Sequence, residues 1–152
     1  MASSNELSYS IIIDAPQSQV WRALTDWERQ STWMAMTHVS VSSHGSELGT
    51  EIFALTGLWA RRNISVKKYF GIMDHMIVTQ WQPPMMCEVE HVGKIIKGIG
   101  RFTLQEISPH RTRFDWYEKI NAPEFLIRLI RPAIMLGVRF SLRRFSRLCN
   151  TQ

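Results

Sequence analysis

The sequence predicts an α+β fold in which a curved antiparallel sheet of about six to seven strands wraps round a long C-terminal helix, with two short helices near the N-terminus. The order of elements leads to this prediction: one strand, two short helices, about six consecutive strands and a final helix. Helical spacing of apolar residues occurs near the two ends of the chain, whereas alternation with a period of two runs through its middle. With 152 residues, 45% of them apolar, the chain can bury a core and leave a space between sheet and helix.

The N-terminal part predicts the first strand and both short helices. Residues Leu7 to Ile13 are rich in β-forming types, and Asp14 stands where a helix N-cap is expected, with Gln17 completing a capping-box spacing. Apolar residues then repeat at helical spacing as far as about Asp26. A second short helix is predicted from Glu28 to Met34.

Alternating apolar and polar residues predict the middle strands. These strands are Thr37–Ser43, Thr50–Thr56, Ile72–Gln82, Met86–Val92, Ile95–Ile107 and Thr112–Ile120. The turn-forming residues 43–46 separate the first two, and the segment 58–71 is assigned as a long connection with some strand character. The alternation of the last three strands assigns these residues to the inner face of the sheet: Cys87, Val89, His91, Gly98, Gly100, Phe102, Leu104, Phe114, Trp116, Glu118 and Ile120.

Two prolines define the predicted C-terminal helical region. Pro123 opens it, and Pro132 is expected to divide it into a short helix ending at Arg131 and a long one from Ala133 to about Cys149. The long helix is predicted to pack one face on the sheet, with Gly137 in close contact; that face comprises Ala133, Gly137, Phe140, Ser141, Phe145 and Leu148. Another face carries Arg139, Arg143 and Arg147.

The net charge of +5 originates in this helical region, because residues 125–152 contain six arginines and no acidic residue. A basic helix face can be simply solvated, can contact anionic lipid headgroups or can bind nucleic acid. No nucleic-acid-reading motif accompanies the charge, so a nucleic acid is not an expected partner. A weak contact of Arg139, Arg143 and Arg147 with anionic membranes is the more specific expectation.

The remaining composition favours a cytoplasmic protein without a metal or other cofactor. The two cysteines are far apart, the N-terminus lacks the pattern of a secretory signal, and the longest apolar run, 133–138, is too short to span a bilayer. The five histidines are scattered and do not form a metal-ligand spacing.

Four stretches of the chain carry a family resemblance. Residues 12–26, with Trp33 shortly after them, resemble the N-terminal signature of the START-like (SRPBCC) superfamily of helix-grip proteins, and within it the polyketide cyclase/dehydrase-like group. Residues 78–84 resemble the hairpin between its middle strands, and 100–104 and 112–118 resemble its last two strands. The resemblance covers roughly residues 6 to 149. It implies a single ligand-binding domain over 1–152 that takes a hydrophobic small molecule between sheet and long helix.

Glu118 and His91 are the polar candidates for function. An inward carboxylate in an apolar pocket has a raised pKa and can act as a general acid or base, and an inward histidine can hydrogen-bond a carbonyl or transfer a proton. Both side chains have an ordinary alternative: a glutamate that reaches solvent or an arginine, and a satisfied core histidine. The apolar candidates for the ligand lining, each of which can equally be plain core, are Trp33, Met34, Phe53, Phe102, Trp116 and Phe140.

These observations predict a monomer or homodimer that binds a lipid, isoprenoid or polyketide-like compound. The first alternative is a cyclase or dehydratase that uses Glu118 and His91 as acid and base. The second is a protein-interaction module that uses the fold without a ligand.

Overall fold

The computed structural model describes residues 5–42, 47–57 and 71–151, which form a curled antiparallel sheet around one long helix. The strands are β1 (Glu6–Ile13), β2 (Thr37–Val41), β3 (Glu51–Thr56), β4 (Ile72–Gln82), β5 (Met86–His91), β6 (Gly98–Ser108) and β7 (Arg111–Ile120). The helices are α1 (Gln17–Thr25), α2 (Gln30–Trp33) and α3 (Glu124–Asn150). The strand order is β1-β7-β6-β5-β4-β3-β2, so the first strand pairs with the last. The predicted fold class is confirmed.

The sheet has a concave face, which is turned toward the helices, and an opposite convex face. One end of the concave face is filled by tryptophans, because an irregularity in β4 after Val78 brings Trp81 inward. The ring centroid of Trp81 lies 4.9 Å from that of Trp21 and 6.4 Å from that of Trp27. The other end of this face is where β5 and β7 finish.

α3 is one continuous helix, so the predicted break at Pro132 is wrong. A proline inside a helix removes the amide that would bond the carbonyl four residues earlier, here that of Arg128. Burial on both sides of this point holds the helix together: Ile127 before it and Leu142 and Phe145 after it are almost fully buried.

The face of α3 that packs on the sheet also differs from the predicted one. Ser141 and Phe145 are buried as expected, but Phe140 is 53% exposed and Leu148 is exposed as well. A Cβ added to Gly137 would meet nothing within 4 Å, so Gly137 makes no close contact with the sheet. The packed face consists instead of Ile127, Ile134, Met135, Val138, Ser141, Leu142, Phe145 and Cys149.

The C-terminal half of α3 is anchored by hydrogen bonds to the N-terminal helices. The Gln19 amide donates to the Cys149 carbonyl (2.7 Å), and the backbone N–H of Ala35 donates to the Ser141 hydroxyl (2.9 Å). The Phe145 ring packs against Trp33 at 4.7 Å and against Phe114 of β7 at 5.8 Å.

The start of α1 differs from the sequence prediction. Asp14 does not cap the helix; its exposed carboxylate pairs with Arg111 at 3.2 Å. Pro16 occupies the N-cap position, and its carbonyl accepts hydrogen bonds from Gln19 and Val20. α2 is a single turn, shorter than predicted.

An ion pair lies on the convex face, where the buried Glu88 of β5 stands opposite the partly exposed Arg101 of β6. The Arg101 Nε donates to the Glu88 carboxylate at 2.8 Å, and the Gln80 amide of β4 donates to the same carboxylate at 3.0 Å. The group therefore links three adjacent strands.

The predicted turn at 43–46 and most of the connection 58–71 lie outside the described residues. Within the part that is described, no helix combines the length and apolar character needed to cross a membrane.

Two glycines provide opposite tests of backbone crowding. Gly98 has φ +140°, and a Cβ there would lie 1.9 Å from the carbonyl oxygen of Lys119. We expect Gly98→Ala to reduce the free energy of unfolding by more than about 1 kcal/mol, because both the dihedral angle and the clash oppose it. Gly137→Ala should raise it by up to about 1 kcal/mol, since the site is open and alanine favours a helix. Urea denaturation measures both, and equal effects of the two substitutions would contradict this assignment.

Candidate functional site

Three strands bring Asp74, His91 and Glu118 together at the open end of the concave face. His91 is the last residue of β5 and stands opposite Met76 of β4, so that Asp74, two residues from Met76, shares its face. On the other side of β5, Gly98 and Gly100 of β6 lie between His91 and the β7 position Glu118. The site is therefore assembled across four adjacent strands, from β4 to β7.

The missing side chain at Gly100 lets the His91 imidazole reach across β6. Gly100 pairs with Val89 on one side and with Glu118 on the other. A Cβ at this position would lie 3.3 Å from the His91 Nε2 and 3.3 Å from the Val89 Cγ2. Glycine at 100 thus makes the contact between residues two strands apart sterically easy.

Both nitrogens of the His91 ring lie beside a carboxylate. Nδ1 is 2.9 Å from Oδ1 and 2.8 Å from Oδ2 of Asp74, which is a hydrogen bond to either oxygen. Nε2 is 3.0 Å from Oε1 of Glu118, but this contact is not aligned as a hydrogen bond, and Nε2 has no other partner. The His91 side chain is only 4% exposed, against 13% for Asp74 and 19% for Glu118.

The two carboxylates keep the imidazole protonated. Burial by itself lowers the pKa of His91, but the interactions with Asp74 and Glu118 outweigh burial and raise the pKa to about 9. At neutral pH the cluster therefore contains an imidazolium between two carboxyl groups. It can donate a proton or a hydrogen bond from Nε2 to an oxygen placed nearby. Within the described residues, no three His, Cys, Asp or Glu side chains are arranged to hold a metal ion.

The aromatic and methionine candidates occupy different places. Trp116 is buried on the concave face of β7, and Phe102 is half-buried on β6 with its ring 5.6 Å from Phe114. Trp33 is buried against α3 with an indole N–H that has no partner, and Met34 is half-buried against the same core.

Phe53 and Phe140 do not belong to the concave lining. On β3 the buried residues are Ile52 and Ala54, so the Phe53 side chain lies on the convex face, stacked on His75 at 4.4 Å. Phe140 lies on the exposed side of α3, where the Arg144 guanidinium is 5.8 Å from its ring.

Asp74 was not among the site residues expected from the sequence. One signal was present: Asp74 alternates with Met76 and Val78, which places a carboxylate on an otherwise apolar strand face, as Glu118 does on β7. The pairing of β4 with β5, which brings it to His91, could not be read from the sequence.

The raised pKa of His91 predicts a pH-dependent stability. The folded protein binds a proton at His91 that the unfolded chain loses above about pH 6.5, so the stabilisation is complete below that pH and disappears as pH rises through about 9. We expect a loss on the order of 3 kcal/mol in the free energy of unfolding over this interval. Urea denaturation of the wild type and of His91→Gln across pH 6–10 measures it. The variant should lack this component, and parallel pH profiles of the two proteins would contradict the prediction.

Comparison with known proteins identifies the family. The chain matches the family model described as "Polyketide cyclase / dehydrase and lipid transport" over residues 5–149. A comparison with curated proteins found no match.

Three solved structures illustrate the fold likeness. The Zhui aromatase/cyclase from Streptomyces sp. R1128 is 11% identical with a TM-score of 0.72, the match covering 95% of this chain and 93% of that one. A protein from Nitrosomonas europaea is 14% identical with a TM-score of 0.73, covering 99% and 97%. A protein from Rhodobacter sphaeroides is 15% identical with a TM-score of 0.74, covering 98% and 94%. Because the family model spans almost the whole chain, the protein belongs to the polyketide cyclase/dehydrase and lipid transport family of the START-like (SRPBCC) superfamily, whose members typically bind hydrophobic ligands or cyclise polyketides.

Proposed function

We propose that the protein binds a hydrophobic small molecule on the concave face, between the sheet and α3, with a polar group of the ligand at His91 Nε2. The observation that supports this most directly is the buried Nε2, whose 3.0 Å contact with Glu118 Oε1 is an ion pair without an aligned hydrogen bond. A buried donor with a poorly aligned hydrogen bond leaves part of its bonding capacity unused, and a ligand oxygen in line with the N–H would satisfy it.

The way α3 is held supports the same proposal. Its C-terminal half is fixed to α1, α2 and β7, whereas in its N-terminal half Ile127 is the residue that is fully buried. Met76, Phe102 and Ile120 remain only partly buried although they point toward the helix. An apolar lining with a few placed polar groups is typical of small-molecule sites. A lipid, an isoprenoid or a polyketide-like compound has the matching chemistry.

We further propose that residues 1–152 act as one ligand-binding domain in the cytoplasm. Cys87 and Cys149 are free and buried, and burial raises the pKa of each thiol to about 12. Unreactive free thiols suit a reducing compartment.

We expect ligand binding to weaken when an aromatic side chain on the concave face is replaced by alanine. A ligand present at 100 times its dissociation constant stabilises the fold by about 2.7 kcal/mol, which a thermal-shift screen of fatty acids, alcohols, isoprenoids, sterols and aromatic polyketides detects. Phe102→Ala should reduce the ligand-induced shift, because the ring faces the proposed site. Phe53→Ala is the matched control: it removes an equally half-buried ring from the convex face.

Each shift is compared with the same variant measured without ligand, so that a loss of stability alone does not count. An equal reduction by both substitutions would contradict the concave site, and the absence of any hit would contradict ligand binding.

An enzymatic cyclase or dehydratase is the second candidate, favoured by the 3.0 Å contact between His91 Nε2 and Glu118. In this role the protonated His91 donates to a substrate carbonyl oxygen while the Glu118 carboxylate accepts a proton from the adjacent enolisable carbon. The similarity in fold to an aromatase/cyclase is compatible with such a reaction. Glu118→Gln separates the candidates: it should abolish turnover of a polyketide-like substrate and spare the binding of purely apolar ligands.

We also propose a weak contact of Arg139, Arg143 and Arg147 with anionic membranes. All three side chains are exposed, and Leu136 and Phe140, on the same side of α3, are 70% and 53% exposed. A basic helix face with exposed apolar residues is attracted to anionic bilayers.

Co-sedimentation with vesicles tests this contact. Binding should rise with phosphatidylserine content and fall with salt, and the triple Arg→Gln variant should lose about 1 kcal/mol per residue. Arg22→Gln with Arg29→Gln, two exposed arginines elsewhere, serves as the control and should change little. Equal binding to neutral and anionic vesicles would contradict the proposed membrane contact and indicate that the arginine face is simply solvated.

A further inference from the structure

Acidic side chains outnumber basic ones at the inward positions of the described strands. The strands that the structure describes carry no lysine or arginine at an inward position. Apart from Asp74, His91 and Glu118, their inward positions hold apolar residues, glycines, threonines, Cys87 and Tyr9, with Glu106 exposed at the far end of β6. The side chains of α3 that pack over this face include Ile134, Met135 and Val138.

The cluster of Asp74, His91 and Glu118 is negative in either protonation state of the histidine. Two carboxylates and one imidazolium sum to −1, and two carboxylates with a neutral imidazole sum to −2. On α3, the Arg131 Nη1 donates to the Glu6 carbonyl oxygen of the edge strand β1 at 3.3 Å. A second anion brought to Nε2 would therefore meet Glu118 at close range without an inward-facing cation from the described strands.

A hydroxyl group fits the two polar atoms at this point. It can accept a hydrogen bond from His91 Nε2 and donate its own proton to Glu118 Oε1, which lies 3.0 Å from that nitrogen. A ketone or an ether oxygen can only accept, and an ammonium group can only donate.

Resting on the proposed function, we infer that the site selects neutral ligands with a hydroxyl group, such as an alcohol, a phenol or an enol, on a hydrophobic body and discriminates against ionised carboxylates and phosphates. His91 is 5% exposed and its Nε2 lacks an aligned hydrogen bond, and the described strands carry no inward lysine or arginine; both observations support this selectivity. Free fatty acids and phospholipid headgroups are thereby disfavoured as ligands.

Matched pairs of probes test the selectivity. Farnesol and farnesoate share one hydrophobic body, as do dodecan-1-ol and dodecanoate, and titration calorimetry at pH 7.5 gives each dissociation constant. We expect each alcohol to bind at least tenfold more tightly than its carboxylate. Farnesyl methyl ether, which has lost the donor, should also bind more weakly than farnesol.

Substitutions then locate the origin of the preference. Glu118→Gln removes one negative charge and should narrow the ratio between alcohol and carboxylate by strengthening carboxylate binding. Glu90→Gln is the matched control, because Glu90 is exposed on the convex face of the same strand as His91, and it should leave the ratio unchanged. The wild-type ratio stands as a test even if the Glu118 variant folds poorly.

The outcomes separate this inference from the proposed function. Carboxylates that bind as tightly as the alcohols, or hits confined to ligands without a hydroxyl group, would overturn the selectivity and leave ligand binding in place. If no ligand class in the thermal-shift screen binds, the proposed function itself is contradicted.

Discussion

An imidazolium between two carboxylates, on a sheet face that is otherwise apolar, imposes the main constraint on this structure. His91 is buried, and both of its nitrogens lie within 3.0 Å of a carboxylate oxygen, so the charges stabilise one another where water has little access. The arrangement requires a residue without a side chain where the imidazole reaches across β6, and Gly100 meets that requirement. A core of hydrocarbon alone would need neither Gly100 nor the two acidic residues.

The packing of α3 differs between its two halves. Phe145, Leu142 and Cys149 fix the C-terminal half of the helix over the tryptophan-filled part of the fold. Towards the N-terminus of α3, Ile127 is the buried residue, and Ile134, Met135 and Val138 are only partly buried. Burial of α3 is therefore concentrated in its C-terminal half.

Strand alternation was enough to predict the fold class and to place His91 and Glu118 on one face, because a period of two is a local property of the chain. Asp74 was missed because its contact with His91 depends on the register between β4 and β5, which is set over a distance in sequence. Phe53 was assigned to the wrong face since its neighbours Ile52, Ala54 and Leu55 are also apolar and give no alternation. For Pro132, a local rule about a missing amide was overridden by tertiary burial on both sides.

The ion pair of Glu88 and Arg101 on the convex face helps to fix the position of His91, although neither residue contacts it. Glu88 immediately follows Cys87 and lies three residues before His91, and its bonds to Arg101 and Gln80 hold β5 in one register against both neighbours. If β5 slipped by two residues along β6, Glu90 would face Arg101. His91 would then be displaced along the strand direction relative to Glu118. Substitutions on the outer surface of the sheet can therefore change the geometry of the His91 cluster on its inner side, and directed evolution confined to inward-facing residues would overlook them.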